Sequence, residues 1–369
     1  MSELLPFHGG QLRQIADHFG IPVSQLLDFS SNINPEGPPT AVLACLRASL
    51  DDASTLTHYP DLDETDLKRS LARYAGVRPE NVVAANGFVP LLDATLRTLP
   101  IRRCLLPIPA FVGYRKTLER ALVEVIAYPL TESSGFRYDA EDLLTGSHDA
   151  ILLANPQNPS GVLANRDVLI RLTEQAATRN IYVLLDEAFI DYCPDASLAR
   201  EIDRFPNLIV FRSVTKFFGM PGMRVACAIA NAKIGAQLQE TIVPWSITTL
   251  AALAASAAVQ DEAYRNRTIA LNNNRRNRLQ TAIEELGIRV YPSGANFLLL
   301  RLPDSIDCEA LWKRLIREYQ IVLRNCANYE ALSKKHLRAA VRNDAENERL
   351  VNALAQVLRV KIYEEVIEK

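Results

Sequence analysis

The sequence predicts an α/β protein with a mostly parallel sheet that is covered by helices on both faces. From about residue 80 to residue 230, seven short apolar runs alternate with longer amphipathic segments. The runs are apolar along their whole length, which is typical of strands buried on both faces. Ligands bind such sheets beyond the carboxyl ends of the strands, so the polar residues that follow each run are the first candidates for a site.

The seven candidate strands lie at residues 81–85, 103–106, 123–128, 150–153, 181–185, 208–211 and 225–229. Helical patterns separate several of them, for example at residues 111–120 and 167–178. This alternation predicts that the seven strands form one sheet in the larger part of the chain.

A second, smaller α+β domain is predicted after a long helical region at residues 261–286. Short strands at 289–291, 297–301, 321–324 and 337–341 surround a helix at 308–318, and a last helix runs from 344 to about 358. The N-terminal part contains a helix at 11–19 and an extended, turn-rich run at 28–39. We therefore divide the chain into an N-terminal segment that covers the active site (1–39), a large domain (40–270) and a small domain (271–369).

Composition excludes several classes of partner. The 369 residues carry a formal net charge of -2, so no global field attracts nucleic acid or anionic lipid. The chain shows no signal-peptide pattern at its start, and the alanine-rich run at 248–259 suits a buried helix better than a membrane span. Six scattered cysteines without a CxxC pair and five dispersed histidines indicate neither disulfides nor a metal site. We expect a cytoplasmic protein without nucleic-acid, membrane or metal partners.

The strongest candidate for chemistry is Lys216, in the segment 213–224 directly after the strand at 208–211. Its amine is placed to form a Schiff base with an aldehyde cofactor, and Ser213 and Arg224 are of the types that bind a phosphate. A solvated lysine in a glycine-rich loop is the alternative, and this segment alone does not decide between them.

Two further strand ends carry polar residues. The strand at 181–185 ends in Asp186, and a carboxylate there can keep a pyridine nitrogen protonated; alternatively, it caps the following turn. The strand at 150–153 runs into two Asn-Pro steps, which favour a non-helical loop. Asn158 in that loop is a candidate hydrogen-bond donor to a ring oxygen, although a plain turn explains the composition equally well.

Together, these three segments resemble the fold-type I pyridoxal-phosphate enzymes, whose architecture is that of aspartate aminotransferase, and the likeness extends over nearly the whole chain. The resemblance implies that Lys216 is the Schiff-base lysine, Asp186 the pyridinium partner, Asn158 the donor to the ring hydroxyl, and Ser213 and Arg224 phosphate ligands. It also implies a homodimer with shared active sites, in which Tyr59 reaches the phosphate of the other subunit.

Other motifs narrow the resemblance to one branch. The HGG run at 8–10, the DFSSNINP run at 28–35 and the segments 321–328 and 336–342 are similar to threonine-phosphate decarboxylases of cobalamin biosynthesis. Histidinol-phosphate aminotransferases share the 28–35 run more loosely and usually have tyrosine where Phe189 stands. The resemblance implies decarboxylation of L-threonine O-3-phosphate to aminopropanol phosphate. The alternative is transamination of histidinol phosphate or a similar amino acid with 2-oxoglutarate.

The same resemblance assigns the substrate contacts. It pairs Arg338 with the α-carboxylate and places Arg324 and His8 at the substrate phosphate, with Gly9 and Asn32 as further contacts. Planar guanidinium groups match both anions well. From the sequence alone, Arg342 competes with Arg338 for the carboxylate.

One turn departs from the family pattern. Residues 86–90 read Asn-Gly-Phe-Val-Pro, where a glycine-rich turn with hydroxylated residues is usual. The backbone N–H groups of Gly87, Phe88 and Val89 are still expected to hold a phosphate at a helix N-terminus, and Pro90 is tolerated in a first helical turn. The missing hydroxyl leaves open whether another phosphorylated amino acid is the substrate.

Overall fold

The computed structural model describes residues 8–367 of the protein, with side chains described as far as residue 358. Residues 1–7 of the predicted N-terminal segment, and residues 368–369, lie outside the described residues. No described helix has both the length and the apolar character that crossing a membrane requires.

The described chain contains twelve α-helices and thirteen strands, besides short 3-10 turns. The helices are α1 Leu12–Phe19, α2 Thr40–Leu50, α3 Ser54–Thr57, α4 Thr65–Ala75, α5 Phe88–Thr98, α6 Val112–Arg120, α7 Arg166–Thr178, α8 Ala232–Thr241, α9 Thr249–Val259, α10 Glu262–Glu284, α11 Cys308–Tyr319 and α12 Asp344–Ile367. The strands are β1 Leu27–Asp28, β2 Val82–Ala85, β3 Arg103–Ile108, β4 Glu124–Pro129, β5 Ala150–Ala154, β6 Tyr182–Asp186, β7 Leu208–Ser213, β8 Ala226–Ile229, β9 Arg289–Val290, β10 Phe297–Arg301, β11 Ile321–Val322, β12 Arg324–Asn325 and β13 His336–Ala340.

The predicted seven-stranded sheet is confirmed, with the strand order β2-β8-β7-β6-β5-β3-β4. β8 pairs antiparallel with both of its neighbours, and all the other pairs are parallel. β8 follows β7 through a loop without a crossover helix, which is why it runs in the opposite direction. The sheet is therefore mostly parallel, as the apolar runs predicted.

Both faces of this sheet are buried, and successive strand residues alternate between two cores. One core includes Leu184 and Phe211 and is closed by α5, α6 and α8. The other includes Leu185 and Val210 and is closed by α4, α7 and α9. The alanine-rich run at 248–259 forms α9 within the second core, so its prediction as a buried helix is confirmed.

A smaller antiparallel sheet, β12-β13-β10-β9, packs with α1, α11 and α12 around a separate core. The single strand predicted at 321–324 is wrong in one respect. Residues Ile321–Val322 form β11, which pairs in parallel with β1, whereas Arg324–Asn325 form β12, which pairs with β13. The chain changes sheets here because β1, from the N-terminal segment, pairs with residues 321–322. The sequence analysis predicted only an extended run at 28–39 and no strand before it.

The long helix α10 joins the two parts of the molecule. Tyr264 near its start belongs to the core of the main sheet, and Leu279 and Ile283 near its end belong to the core of the smaller one. A boundary at residue 270 therefore falls within a continuous helix, and the division into domains stays a prediction.

Candidate active site

A cavity of about 330 Å³ opens at the carboxyl ends of β5, β6 and β7, beside the N-terminus of α5. Its wall contains nine of the residues predicted from the sequence: Gly9, Gly87, Phe88, Val89, Asn158, Asp186, Ser213, Lys216 and Arg224. The sheet topology brings these residues together from segments up to 215 positions apart, as expected for an α/β sheet that binds ligands at its carboxyl edge.

Asp186, the last residue of β6, lies at the inner end of the cavity and is only 7% exposed. The backbone N–H of Ala188 donates to its Oδ1 at 2.8 Å, and the Tyr114 hydroxyl donates to its Oδ2 at 2.5 Å. Burial raises the pKa of Asp186, whereas the positive charge of Lys216 and these two hydrogen bonds oppose that rise. The carboxylate is thus held in a fixed orientation and can accept a hydrogen bond from a protonated ring nitrogen.

Lys216 follows β7, with its Nζ 3.5 Å from Ser213 Oγ and 5.2 Å from the centre of the Phe189 ring. Burial lowers the pKa of Lys216 and the charge of Arg224 lowers it further, while Asp186 opposes both effects. A larger fraction of the amine is therefore neutral than in water, and a neutral amine is the form that attacks an aldehyde.

The opposite end of the cavity is built to hold an anion. Gly87 precedes α5 with φ of 95°, a conformation that favours glycine, and a Cβ there would lie 2.7 Å from Arg224 Nη2. The first N–H groups of α5 have no partners within the helix and point to the same place. The hydroxyls of Ser213 and Thr215 lie 2.8 Å apart nearby. Guanidinium, hydroxyl and helix N-terminus are all groups of the kind that bind a phosphate.

Asn158 is oriented by Arg338. Arg338 is 5% exposed, and its Nη1 lies 2.5 Å from Asn158 Oδ1 while its Nη2 donates to the carbonyl oxygen of Ser30 at 3.0 Å. A guanidinium only donates, so the amide oxygen of Asn158 faces the arginine and its Nδ2 is left to donate to a ligand. Arg338 Nε is buried without a hydrogen-bond partner in the described part of the chain.

Arg342, the competing candidate for a substrate carboxylate, is occupied elsewhere. Its Nε and Nη2 bond Glu346 at 2.9 Å and 3.1 Å, and its Nη1 donates to the carbonyl oxygen of Asp28 at 3.0 Å. The geometry therefore favours Arg338 over Arg342.

Arg324 lies directly opposite Arg338 in the pairing of β12 with β13, so the two side chains share one face of the small sheet. Its side chain is 2% exposed, and its Nη2 donates to Asn328 Oδ1 at 2.8 Å. The Tyr329 ring lies 5.1 Å from the Arg324 guanidinium, and the Tyr329 hydroxyl lies 3.5 Å from Arg338 Nη1. Burial lowers the pKa of Arg324. Two buried guanidiniums thus share one face of the small sheet, and guanidinium groups are of the kind that bind carboxylate and phosphate.

His8 lies outside the cavity wall and contacts it through Phe111. Its ring is exposed and stands 5.9 Å from the ring of Phe111, which lines the cavity wall. Burial of part of the ring lowers the pKa of His8, and the charges of Arg324 and Lys116 lower it further. The positive charges of Arg324 and Lys116 therefore act on the His8 ring and favour its neutral form.

The other predicted contacts of the N-terminal segment differ in position. Gly9 lines the cavity and packs against Ser30 so closely that a Cβ would lie 2.1 Å from the Ser30 carbonyl oxygen. Asn32 is buried, its Oδ1 has no hydrogen-bond partner among the described residues, and it stands outside the cavity wall.

Tyr59 does not reach the cavity of its own chain. It is 80% exposed and packs against Trp245, with ring centres 4.7 Å apart. Leu56 and Val243 are also exposed, at 68% and 72%. The predicted role of Tyr59 in a neighbouring site stays a prediction, and its position leaves the side chain available for one.

Eight of the seventeen residues that line the cavity lie outside the predicted site, and two of them, Phe111 and Tyr114, show what the sequence analysis missed. Phe111 lies just beyond β3, so the rule about carboxyl ends of strands was a sufficient signal to find it. Tyr114 lies on the buried face of α6, where an aromatic residue is expected in any helix that packs on a sheet. Its bond to Asp186 depends on how α6 packs, and no local pattern shows this.

The cavity fits pyridoxal phosphate on its own geometry. A buried carboxylate lies at one end for a ring nitrogen, an anion site without a Cβ at Gly87 lies at the other end for the phosphate, and Lys216 stands between them. Phe88, Phe111 and Phe189 supply apolar walls for a flat ring.

Comparison with known proteins agrees with this geometry. The model of the family described as aminotransferase class I and II matches residues 24–354. The threonine-phosphate decarboxylase of Salmonella typhimurium is 36% identical over 357 residues, 95% of this chain and 96% of that protein. The structure of a histidinol-phosphate aminotransferase from Clostridium acetobutylicum superposes with a TM-score of 0.85 at 30% identity, over 90% of this chain and 99% of that one. The structure of an L-threonine-O-3-phosphate decarboxylase from Porphyromonas gingivalis gives a TM-score of 0.78 at 25% identity over the same shares.

Proposed function

The chain belongs to the class I and II aminotransferase family, and we propose that it decarboxylates L-threonine O-3-phosphate to aminopropanol phosphate. It is an enzyme of pyridoxal-phosphate fold type I, and its cofactor is pyridoxal 5'-phosphate. The combination that supports the lyase assignment is 36% identity to a threonine-phosphate decarboxylase together with two buried arginines on one sheet face, one for each anionic group of the substrate.

The proposed cofactor contacts follow from the two ends of the cavity. Lys216 Nζ binds the aldehyde carbon, and Asp186 holds the ring nitrogen in its protonated form. Asn158 Nδ2 donates to the ring hydroxyl. Ser213, Arg224 and the N–H groups of Phe88 and Val89 bind the phosphate. The predicted third donor, the N–H of Gly87, donates instead to the carbonyl oxygen of Ala85 at 2.7 Å, so Gly87 contributes only its lack of a side chain. When bound, the cofactor supplies an electron-withdrawing ring that accepts the electron pair left by a bond broken at the α-carbon.

Among the proposed substrate contacts, Gly9 lines the cavity, and the others lie outside its wall: Arg338, Arg324, His8 and Asn32. Arg338 binds the α-carboxylate, and Arg324 and His8 bind the phosphate, with Gly9 and Asn32 shaping that end. Holding both anions fixes the direction of the bond from the α-carbon to the carboxylate carbon. Breaking that bond would release carbon dioxide, and Lys216 in its ammonium form, having taken a proton from the substrate amino group, is the group placed to return a proton to the α-carbon.

The lack of a hydroxyl at position 189 bears on which bond breaks. Phe189 is 4% exposed and presents an apolar ring to Lys216. No phenol at this position competes with Asn158 for the ring hydroxyl of the cofactor. We take this as support for a lyase, because the aminotransferases that the chain resembles usually have tyrosine here.

The purified holoenzyme incubated with L-threonine O-3-phosphate tests the assignment. We expect release of carbon dioxide and an equal amount of aminopropanol phosphate, without any requirement for 2-oxoglutarate. A keto product that depends on 2-oxoglutarate, with no carbon dioxide, would instead establish transamination. That rival is supported by the 30% identity and TM-score of 0.85 to a histidinol-phosphate aminotransferase structure.

We also propose a cytoplasmic homodimer with shared active sites. Tyr59, Trp245, Leu56 and Val243 are exposed on the single chain, and a second copy of the chain is the partner that gives Tyr59 access to a cofactor phosphate.

A further inference from the structure

A second group of polar side chains lies buried on the far side of the main sheet from the cavity. It consists of Tyr74, Glu187, Asp191 and Arg212, which we call the rear cluster. Arg212 forms a salt bridge with Asp191, and the side chains are 8% and 3% exposed. The Tyr74 hydroxyl donates to the same carboxylate, and the Arg212 guanidinium lies 4.9 Å from the centre of the Tyr74 ring. None of these residues has a place in the proposed reaction.

The rear cluster and the cavity are connected through the alternation of side chains along two adjacent strands. Asp186 ends β6 with its side chain on the cavity face, so the next residue, Glu187, projects to the opposite face. In β7, Ser213 projects to the cavity face and Arg212 to the opposite face. The two strands are held in register there, because the N–H of Glu187 donates to the carbonyl oxygen of Phe211 at 2.8 Å.

Glu187 and Asp191 also anchor the chain that leaves β6. Glu187 is fully buried and accepts from Ser197 Oγ at 2.6 Å and from the N–H of Leu198 at 2.7 Å. Asp191 lies two residues after Phe189, which forms part of the cavity wall. The ends of β6 and β7 are therefore held, on the face opposite the cavity, by buried charged or hydrogen-bonded side chains.

We infer that Arg212 and Asp191 are positioning residues that set the separation between Asp186 and the Ser213–Lys216 turn. This separation determines whether one rigid cofactor can meet the ring-nitrogen site and the phosphate site together. The inference depends on the cofactor assignment and not on which bond of the substrate breaks. It concerns binding of pyridoxal phosphate, and its failure leaves the lyase assignment intact.

Comparing single and double variants distinguishes a salt bridge that only stabilises the fold from one that positions the cofactor contacts. Arg212→Met leaves the Asp191 carboxylate buried without its cation, which destabilises the fold, whereas Arg212→Met with Asp191→Leu removes both charges. Replacing a whole buried pair by apolar residues is often neutral for stability. We expect the double variant to recover the melting temperature of the wild-type apoenzyme. We expect it nevertheless to bind pyridoxal phosphate at least about tenfold more weakly, the size typical for loss of an outer partner of a site.

The control is Arg103→Met, which breaks the 3.2 Å salt bridge between Arg103 and Glu124 at the start of β3, at the end of the sheet opposite the cavity. It is expected to leave cofactor affinity unchanged. Affinity is measured by titrating apoenzyme with pyridoxal phosphate, and stability by thermal unfolding of the apoenzyme.

A double variant with wild-type stability and wild-type cofactor affinity would overturn the inference. If the double variant does not fold, Tyr74→Phe decides, because it keeps the ring beneath Arg212 and removes only the hydrogen bond to Asp191. We expect Tyr74→Phe to weaken cofactor binding about threefold, a smaller effect than loss of the pair, because it removes a single hydrogen bond. Wild-type affinity in that variant would also overturn the inference.

Discussion

Arg338 Nη1 lies 2.5 Å from Asn158 Oδ1, so the arginine proposed to bind the substrate carboxylate also orients the amide proposed to bind the cofactor. The first residue comes from the small sheet and the second from the loop after β5 of the main sheet. This contact joins the two parts of the molecule across the active site. Binding of a carboxylate at Arg338 is therefore expected to be coupled to the position of the ring.

Replacing either partner should reveal that coupling. Arg338→Gln and Asn158→Ala should each lower kcat/KM for threonine phosphate by roughly 10- to 100-fold, since a hydrogen bond to a charged group contributes about 1.5–3 kcal/mol. The double variant should lose less than the sum of the two losses, with a coupling energy of about 0.5–3 kcal/mol. Strictly additive losses would show that the two side chains act independently.

The Tyr114 hydroxyl should lower the pKa of Asp186 and thereby strengthen cofactor binding. Tyr114→Phe removes the 2.5 Å hydrogen bond to Asp186 Oδ2, and this bond favours the ionised carboxylate. The pKa of Asp186, already raised by burial, should rise further, and cofactor affinity should fall about tenfold, equivalent to about 1.4 kcal/mol.

Tyr138→Phe is the matched control for this prediction. The Tyr138 hydroxyl is buried and has no hydrogen-bond partner among the described residues, so its removal breaks no bond. Titration of the two apoenzymes with pyridoxal phosphate makes the comparison. Equal cofactor affinities in the two variants would show that the hydrogen bond from Tyr114 to Asp186 does not contribute to cofactor binding.

The positions of the strand-end residues could be predicted because they depend only on the residues next to them in the sequence. Asp186, Asn158 and Lys216 each follow an apolar run, and a parallel sheet brings such ends to one edge. Phe88 and Val89 were placed by the position of the α5 N-terminus after β2, which is equally local.

Other features depend on contacts between distant segments. The choice of Arg338 over Arg342 became clear only when Arg342 was found bonded to Glu346 and to the Asp28 carbonyl. The split of the 321–324 run into β11 and β12 depends on a strand from the N-terminal segment. The bond from Tyr114 to Asp186 depends on helix packing, since a buried tyrosine on a helix looks the same with or without an acceptor.

Lys216 should be indispensable for turnover and for covalent attachment of the cofactor. Lys216→Ala removes the amine that binds the aldehyde, so turnover should be abolished and the cofactor should bind without a covalent link. Reduction with borohydride followed by mass spectrometry should attach the cofactor to the wild type and not to the variant. Lys233→Ala, in an exposed position on α8, is the control and should keep both activity and attachment. Turnover by Lys216→Ala would refute the assignment.

Glu187 should make the stability of the fold depend on pH. Burial raises its pKa from 4.5 to about 7, so between these values the folded chain binds more protons than the unfolded chain. The contribution of Glu187 to the unfolding free energy is therefore present at low pH and is lost as pH rises from 4.5 to 7, by about 3 kcal/mol in all.

Glu187→Gln abolishes this titration and should remove that decline. Urea unfolding of wild type and variant at pH 5 and pH 7.5 measures the difference, with Glu174→Gln at an exposed position as control. A decline of the same size in wild type and Glu187→Gln would show that Glu187 does not titrate in this range.

A mixture of two inactive variants should test the shared active sites. Lys216→Ala lacks the lysine of its own site, and Tyr59→Ala lacks the tyrosine proposed to serve the partner's site. In a mixed dimer, one site combines an intact Lys216 with an intact Tyr59, because these come from different subunits. Random exchange makes half of the dimers mixed, each with one complete site, so about a quarter of wild-type activity should return. Sedimentation should show dimers in every sample. Activity that never exceeds the average of the separate variants would mean that Tyr59 serves no neighbouring site, and an active monomer would rule out the shared arrangement altogether.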